Sequence, residues 1–474
     1  MKVEIAGYNL DYSQIQKLEN QHQATPETIS AAYARISRSS KSVGELRSAA
    51  LGDVVKAKAS NQSIVFEMGH ASVAEHAVFN FDITGISRLL VEDVQRSRLA
   101  SFTEKSQRYV TLKGDYLLPP EIAGTALENE FREVITSQNN LYFSLYEKAL
   151  IHLKQSGFAG SSNELRGKAK EDARYVLALA TQTQFGMTIN ARSLERLLQR
   201  LDKNELAEAR ELKEALYQQA ISIAPSLVRY TKCEACEKHF FDHLPIIDSP
   251  QSAKQVELVD ITPQAEDNIL AGMIFEKSGG DIFAIQQQVQ KLTATQKAEI
   301  FQQMFCGMKS WQRMPRAFEL ADLTFSLLIS SSCFGQLKRH RMSTILRSSY
   351  QPENGYVIPQ LIDEIGGREL ILPVMQKVGM LYKELERYKP GLGSYILTNG
   401  HRLPVLFKAN LRELYHFSRL RSDAHAQWEI REVSQQIDSI IQRELPNAGK
   451  LIMGKDEFGR RETSSFAKAT EDLL

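Results

Sequence analysis

The sequence has little cysteine, no marked excess of charge of either sign and no long apolar run. Four cysteines in 474 residues are too few for a disulfide framework, which indicates a reducing compartment. Lys and Arg (58) balance Asp and Glu (57), so the overall field favours neither nucleic acid nor a membrane surface as a partner. No apolar run approaches the roughly 18 residues that span a bilayer, and the start MKVEIAGYNLDYSQ lacks the apolar core of a secretory signal. These absences predict a cytoplasmic protein that binds neither membrane nor nucleic acid.

The sequence also lacks the glycine-rich motifs whose backbone amides hold a nucleotide phosphate, since neither G-x-G-x-x-G after a strand nor G-x-x-x-x-G-K-[ST] occurs. Side chains would have to hold a phosphate, and arginine suits this because its guanidinium matches phosphate oxygens. The stretch RHRMSTILRSS places Arg339, His340 and Arg341 together and Ser349 downstream. Basic triplets also occur on solvated helix faces, so the stretch alone leaves both interpretations open.

A cysteine and histidine cluster, CEACEKHFFDH, brings zinc-ligand residue types close together in the sequence. Its members are Cys233, Cys236, His239 and His243. Zinc fingers separate their ligand pairs by about a dozen residues so that a loop can fold between them. Here that loop is missing. The spacing therefore predicts no metal site, and we interpret the segment as the end of an amphipathic helix followed by a turn.

Periodicity predicts both helices and strands. Apolar residues recur at three- and four-residue spacing in SRLLVEDVQRSRLASF, NARSLERLLQRLDKNELAEARELKEALYQQAISI, AEIFQQMFCGMKSWQRM and NLRELYHFSRLRSDAHAQWEIREVSQQIDSIIQREL. Short runs of aromatic and β-branched residues predict strands in AVFNFDI, LTFSLLI and GYVIP.

The chain consists of two halves with similar sequences. AVFNFDITGISRLLVEDVQRSRLASFTEKS corresponds to ADLTFSLLISSSCFGQLKRHRMSTILRSS, and NARSLERLLQRL corresponds to NLRELYHFSRLR. Two copies of one domain are expected to pack about a pseudo-twofold axis, as the subunits of a homodimer do. The segment HLPIIDSPQSAKQ, with two prolines among polar residues, predicts a linker. The predicted domains are residues 1–242 and 256–450, with a linker at 243–255 and a flexible tail at 451–474.

With GHASVAEH upstream and LRSDAHAQWEI downstream, the R-H-R-x7-S pattern resembles the flavin-dependent thymidylate synthases, the ThyX family. The resemblance implies an α+β fold made of two tandem ThyX-like domains, each a twisted sheet flanked by helices, related by a pseudo-twofold axis. It implies reductive methylation of dUMP to dTMP, with FAD as cofactor and NADPH and methylenetetrahydrofolate as co-substrates. Family members are homotetramers, so a homodimer of fused chains is expected.

In the family each dUMP lies between two subunits, and this chain keeps the two sets of contacts in different halves. The resemblance implies that dUMP is bound by Gln336, Arg339 and Arg421 of the second half and by Glu104, Ser106, Arg108 and Arg174 of the first. It places Arg421 at the uracil edge as the catalytic cation, where it would stabilise developing negative charge. FAD would be held by Arg339, His340, Arg341, Asn410, Arg412, His416 and His425, and by Ser37, His70, Ser72 and Glu75.

The departures from the family pattern are complementary between the halves. In the first half Asp93 replaces a glutamine, and the late helix arginine has become Leu201 or has shifted to Arg200. In the second half Gln351 and Ser394 replace arginines. We therefore predict one working composite site and one degenerate site per chain.

Two alternatives stay open. The scattered losses would also suit a non-catalytic paralogue that binds flavin or nucleotide without turnover, although complementary loss argues against it. The basic residues at 339–347 would suit a nucleic-acid binder, against which the near-zero net charge argues.

Overall fold

The computed structural model describes residues 1–10, 25–34, 41–63, 71–110, 112–234, 240–245, 247 and 254–458. The chain forms two compact units. Unit 1 consists of Met1–Asp248 and Ile358–Asn399, and unit 2 of Ser249–Val357 and Gly400–Leu474. None of the helices in the described part of the chain combines the length and the apolarity needed to cross a membrane.

Each unit contains a four-stranded sheet with the same order of strands. The order is β1-β2-β4-β3 in unit 1 and β5-β6-β8-β7 in unit 2, and every neighbouring pair is antiparallel. The strands are β1 (Lys2–Tyr8), β2 (Val78–Ser87), β3 (Ala100–Glu104), β4 (Gln182–Asn190), β5 (Val256–Ile261), β6 (Asp322–Ser330), β7 (Thr344–Arg347) and β8 (Arg402–Asn410). The repeated sheet, with helices in both units, confirms the α+β class and the tandem pair of domains.

The central strands β2 and β6 bury one face, because large apolar residues alternate along them with less buried ones. Phe79, Phe81 and Ile83 are buried in β2, and Phe325 and Leu327 are buried in β6. Both were predicted as strands from this pattern. The predicted strand GYVIP is wrong, because Tyr356 forms only an isolated bridge and Pro359, which has no N–H for a ladder, precedes a helix.

Sixteen α-helices are present among the described residues. They are α1 (Pro26–Ala34), α2 (Val43–Gly52), α3 (Val54–Gln62), α4 (Arg88–Val94), α5 (Ala126–Gln155), α6 (Ser162–Ala173), α7 (Ala191–Lys203), α8 (Ala207–Ile221), α9 (Ala265–Ser278), α10 (Ile282–Lys291), α11 (Ala294–Phe305), α12 (Ser331–Leu337), α13 (Gln360–Glu364), α14 (Gly367–Tyr388), α15 (Leu411–Arg421) and α16 (Trp428–Glu444). Each of the two long helical stretches predicted near residues 190–223 and 410–445 is a pair of helices.

Helix α4 is shorter than its apolar spacing predicts. The sequence predicts a helix from Ser87 to Phe102, but the helix ends at Val94. Residues from Ala100 onward pair with β4 instead, since the β-sheet buries Ala100 and satisfies its backbone groups. The Arg96–Arg98 stretch therefore lies in a turn between helix and strand.

Helix α14 belongs to the second half of the sequence but packs against α5 within unit 1. Both helices occupy the same place in their halves, between the third and the fourth strand of a sheet. Next to them, Ala178 forms an antiparallel bridge with Thr398. Leu179 N–H donates to the Leu397 carbonyl (2.7 Å), and Asn399 N–H donates to the Leu177 carbonyl (2.9 Å). Corresponding segments of the two halves thus pair symmetrically inside unit 1.

The segment that the sequence assigns to a flexible tail begins in packed residues. Leu451, Ile452, Met453 and Phe458 are buried, while 459–474 lie outside the described residues, as does most of the predicted linker. The boundaries predicted from the sequence remain a prediction.

Candidate active site

Unit 2 brings together two of the side chains that the sequence assigned to dUMP. Gln336 lies in the last turn of α12, and Arg421 is the last residue of α15. Arg421 donates from Nη1 to the Gln336 side-chain oxygen (3.2 Å) and from Nη2 to the Gln336 carbonyl (3.3 Å). Its Nε donates to His340 Nε2 (3.0 Å). Each of the three guanidinium nitrogens therefore donates a hydrogen bond.

His340 is nearly fully buried, with 4% of its surface exposed, and it bridges two charged side chains. Its Nε2 accepts from Arg421, and its Nδ1 lies 3.3 Å from Glu413 Oε1. Burial lowers the pKa of His340, although the hydrogen bond to Glu413 acts in the opposite direction. The imidazole is therefore neutral at neutral pH, with its proton on Nδ1.

The N-terminus of α15 is fixed by Asn410, which the sequence assigned to FAD. The Asn410 side chain accepts from the Glu413 N–H (2.9 Å), as N-cap asparagines do. Helix α15 then places Glu413 and Arg421 about two turns apart on one side. Asn190 caps α7 in the same way, by accepting from the Ser193 N–H (2.8 Å).

Two other residues assigned to FAD form ion pairs. Arg412 binds Glu319 (2.9 Å) and donates to the Met314 carbonyl (2.8 Å). In unit 1, Arg192 pairs with Glu75 at 2.5 Å. The two units thus share an Arg–Glu pair at corresponding positions.

The remaining residues assigned to FAD differ in exposure. Arg339, His416, His425 and Ser72 are exposed, and Arg341 is partly buried. Among the described residues, no side chain forms a hydrogen bond or ion pair with the Arg339 guanidinium. The His416 ring lies 5.9 Å from that of His340. Ser37 and His70 lie outside the described residues.

Arg174 in unit 1 is a buried cation with an unsatisfied donor. Only 6% of its surface is exposed, and its Nε donates to the Glu171 carbonyl (3.3 Å). Its Nη2 is buried without a hydrogen-bond partner among the described residues. Burial lowers the pKa of Arg174, and the nearby cations Arg88 and Arg108 also act in that direction. An anion at this position would satisfy the buried N–H groups.

The first-half residues assigned with Arg174 lie in buried or partly buried networks. Arg108 forms an ion pair with Glu171, and Ser106 Oγ accepts from the Arg108 N–H (3.2 Å). Glu104 forms an ion pair with Arg88 and accepts hydrogen bonds from Gln95 (3.1 Å) and Thr183 (3.3 Å). Sequence reasoning missed Arg88. The only feature that could have indicated it is its position directly after β2.

The counterpart of Arg421 in unit 1 is Arg200. Leu201 is completely buried in the core, whereas Arg200 Nη2 donates to Ser97 Oγ (2.7 Å) and to the Val94 carbonyl (3.4 Å). Ser97 corresponds to His340 in the repeat. Burial lowers the pKa of Arg200 to about 10. Of the two alternatives left by the sequence, the structure selects the shifted arginine.

Asp93, the first-half counterpart of Gln336, contacts neighbouring side chains. Asp93 receives a hydrogen bond from Asn204 (3.2 Å) and lies 3.9 Å from Arg96. An acidic side chain therefore stands where the other unit presents an amide.

Sequence reasoning also missed a buried glutamate that each unit uses to hold the end of a central strand. Glu208 accepts from the N–H and the Oγ of Ser87, both at 2.7 Å. Glu429 accepts from the N–H of Ser330 (3.0 Å) and from its Oγ. Burial raises the pKa of Glu208. The signal was the correspondence of AEARE at 207–211 with WEIRE at 428–432.

The cysteine and histidine cluster cannot be assembled from the described residues, because Cys236 and His239 lie outside them. Elsewhere, the described residues contain no group of three or more side chains suited to a metal ion. The absence of metal at this cluster stays a prediction.

The fold defines a protein with two α+β domains in tandem, each built on a four-stranded antiparallel sheet with the same order of strands. The sequence model of the thymidylate synthase complementing proteins (Thy1) matches residues 20–226 and 257–447, and the chain therefore belongs to this family.

Its relatives match different shares of the chain. A UPF0159 protein of Thermoplasma acidophilum is 23% identical over 440 residues, covering 82% of this chain and 87% of the relative. A flavin-dependent thymidylate synthase of Clostridium tetani is 31% identical over 211 residues, covering 44% of this chain and 82% of the relative. The solved structure of flavin-dependent thymidylate synthase ThyX from Helicobacter pylori, complexed with FAD and dUMP, is 19% identical with a TM-score of 0.31. The match covers 48% of this chain and 100% of that one.

Proposed function

We propose that the protein is a flavin-dependent thymidylate synthase, which methylates dUMP to dTMP with methylenetetrahydrofolate and NADPH as co-substrates and FAD as cofactor. The observation that carries the proposal is the cluster of Gln336, His340 and Arg421, in which an arginine is held on three nitrogens by a buried histidine and an amide. Membership of the family and the synthases among its relatives support it.

The first-half residues are suited to bind the phosphate of dUMP. A buried guanidinium with an unpaired N–H is costly, and Arg174 Nη2 has no hydrogen-bond partner among the residues that the structure describes. Charge-assisted hydrogen bonds to an anion contribute about 1.5–3 kcal/mol each. We therefore assign Ser106, Arg108 and Arg174, with Glu104, to dUMP, together with Gln336, Arg339 and Arg421.

Arg421 is assigned to the uracil edge. When the methylene carbon is transferred from folate to C5 of dUMP, negative charge develops on the ring, and a fixed cation stabilises it. Because hydrogen bonds already fix the Arg421 guanidinium, its side chain needs little reorganisation when that charge develops.

The proposed FAD residues have suitable chemistry. The flavin carries a pyrophosphate and ring acceptors, and the exposed donors Arg339, His416 and His425 are the type that binds such groups. Arg341, Asn410 and Arg412, with His340, Ser37, His70, Ser72 and Glu75, complete the proposed set. Arg412 would have to be shared with Glu319. When bound, FAD supplies the hydride that completes the methyl group.

One working site per chain is part of the proposal. In the other set of positions, Asp93 would oppose a phosphate dianion, and Gln351 and Ser394 stand in place of arginines. Two lost charge-assisted bonds would weaken binding on the order of a hundredfold or more. A homodimer of fused chains and a cytoplasmic location remain further parts of the proposal.

The test is direct. Purified protein should be yellow with bound FAD, and the reduced protein should convert dUMP to dTMP when methylenetetrahydrofolate is supplied. Binding of FAD and dUMP without dTMP formation would favour the non-catalytic paralogue. Intact protein that takes up no FAD contradicts the proposal.

A further inference from the structure

Glu413 lies beside the proposed active site but belongs to none of the sets assigned above. Its carboxylate side chain is 18% exposed and faces His340 Nδ1 at 3.3 Å. We propose that Glu413 is a positioning residue for Arg421 and acts through His340. This inference rests on the proposed function, because it assigns the cluster a task in binding dUMP.

The direction of the hydrogen bonds carries the argument. A guanidinium N–H can only donate, and a neutral imidazole has one donor and one acceptor nitrogen. Since Arg421 Nε donates to His340 Nε2, Nε2 must be the acceptor. The ring proton therefore sits on Nδ1, where Glu413 Oε1 accepts it. The carboxylate selects the tautomer on which the arginine contact depends.

The opposite tautomer would place two N–H groups face to face between His340 and Arg421. Arg421 would then lose its Nε contact and keep its contacts to Gln336, and its guanidinium would have more freedom to turn. A cation that must lie at a fixed edge of a substrate ring loses effect when it is free to turn.

The first half of the chain supplies a second, independent observation. At the positions that correspond to His340 and Glu413, it has Ser97 and Ser193. In unit 1, Ser97 Oγ accepts directly from Arg200, and a hydroxyl needs no tautomer to be selected. The histidine and the glutamate thus occur together in the half that keeps Gln336 and Arg421, and both are absent from the half in which these contacts are lost.

The experiment compares Glu413→Ala, Glu413→Gln and Glu413→Ser in the full chain, with Glu444→Ala as a matched control. Glu444 is an exposed glutamate on α16 that forms an ion pair with the adjacent Arg443. dUMP affinity is measured by calorimetry, and kcat and KM for dUMP by dTMP formation. The histidine tautomer is read from nitrogen NMR of protein labelled at histidine, with His340 assigned by the signal lost in His340→Gln.

Glu413→Ala and Glu413→Ser should weaken dUMP binding by about tenfold, as expected for one lost positioning contact, and should show His340 in mixed tautomers. Glu413→Gln should stay near wild type in both measurements, because its amide oxygen still accepts from Nδ1–H. Glu444→Ala should match wild type. Thermal melting identifies a variant that fails to fold, and the Ser variant replaces Ala in that case.

Three results would overturn the inference: unchanged dUMP affinity in both Ala and Ser variants, equal loss in the Gln variant, or a wild-type His340 protonated on Nε2. The inference fails separately from the proposed function. If wild-type protein does not bind dUMP, the proposed function is wrong. The tautomer measurement would still decide whether Glu413 orients His340.

Discussion

At the scale of single residues, arginines of similar sequence context have different states in the fold. Arg339 is exposed, and Arg421 donates a hydrogen bond from each of its three nitrogens. Arg174 is buried, and its Nη2 has no partner within the described part of the chain. Residue type and motif spacing identified all three as candidates. They could not distinguish these states, because burial and hydrogen-bond partners depend on residues distant in sequence, such as His340 and Gln336 for Arg421.

Replacement of Arg421, whose guanidinium is fixed by hydrogen bonds, or of the buried Arg174 should weaken dUMP binding. Arg421→Ala and Arg174→Ala each delete a charged donor at the proposed site, so each should weaken dUMP affinity by at least tenfold. Arg96→Ala is the control, because Arg96 is half-exposed and lies 3.9 Å from Asp93. Calorimetric titration with dUMP measures the affinity of each of the three variants. Equal damage from all of them would contradict the division into one working and one degenerate site.

The buried histidine should make stability fall on acidification. Glu413, Arg421 and His416 are the charged or titratable groups that act on His340, and burial lowers its pKa in the folded protein from the ordinary value of 6.5. The unfolded chain then binds the proton more readily. Stability is retained above about pH 6.5 and is lost as pH falls through the folded pKa, by at most about 1.4 kcal/mol per pH unit.

Urea unfolding between pH 7.5 and 5 measures this effect in wild type and in His340→Gln. The wild type should lose more stability than the variant over this range. Parallel pH profiles would show that His340 is not the group responsible.

At the scale of elements, the sequence identified the central strands and the amphipathic helices but not where α4 ends. Alternation in β2 and β6 depends only on neighbouring residues, so the pattern was sufficient. In α4 the helical spacing continues past Val94, but pairing of Ala100 with β4 determines the boundary. A partner strand almost 90 residues away cannot be read from the local pattern.

Removal of Glu429 should destabilise the link between β6 and α12. The carboxylate accepts from the N–H and the hydroxyl of Ser330, the N-cap of α12. Glu429→Ala leaves these buried donors unsatisfied, which costs about 1–3 kcal/mol each. Urea unfolding should show a loss of that order, whereas exposed Glu444→Ala should change the free energy of unfolding by less than about 0.5 kcal/mol. A loss no larger than the control's would refute the role of this contact.

At the scale of the whole molecule, the order of the sequence and the grouping in space differ. The duplication predicts two domains of consecutive residues, but Ile358–Asn399 packs with unit 1. This could not be read from the sequence, because α14 has the same amphipathic pattern whether it packs on its own half or on the other.

The first half should not fold alone. A fragment of residues 1–248 lacks α14 and the segment that pairs with Leu177 and Leu179, so apolar surface of α5 would be exposed. We expect this fragment to be insoluble or to bind a hydrophobic dye, and co-expression with 249–474 to restore soluble protein. Full-length protein cleaved within 243–255 after folding is the control and should elute as one species. A soluble, cooperatively melting 1–248 fragment would contradict this expectation.

The pairing of Ala178 with Thr398 also determines when the protein can fold during its synthesis. Unit 1 includes residues up to Asn399, so its sheet and α5 leave the ribosome long before the residues that complete it. From residue 248 to residue 399 is 399 − 248 = 151 residues, which take roughly 8–30 s to translate at about 5–20 residues per second. During that interval the nascent first half presents uncovered apolar surface, and this makes it a natural client for chaperones that act at the ribosome.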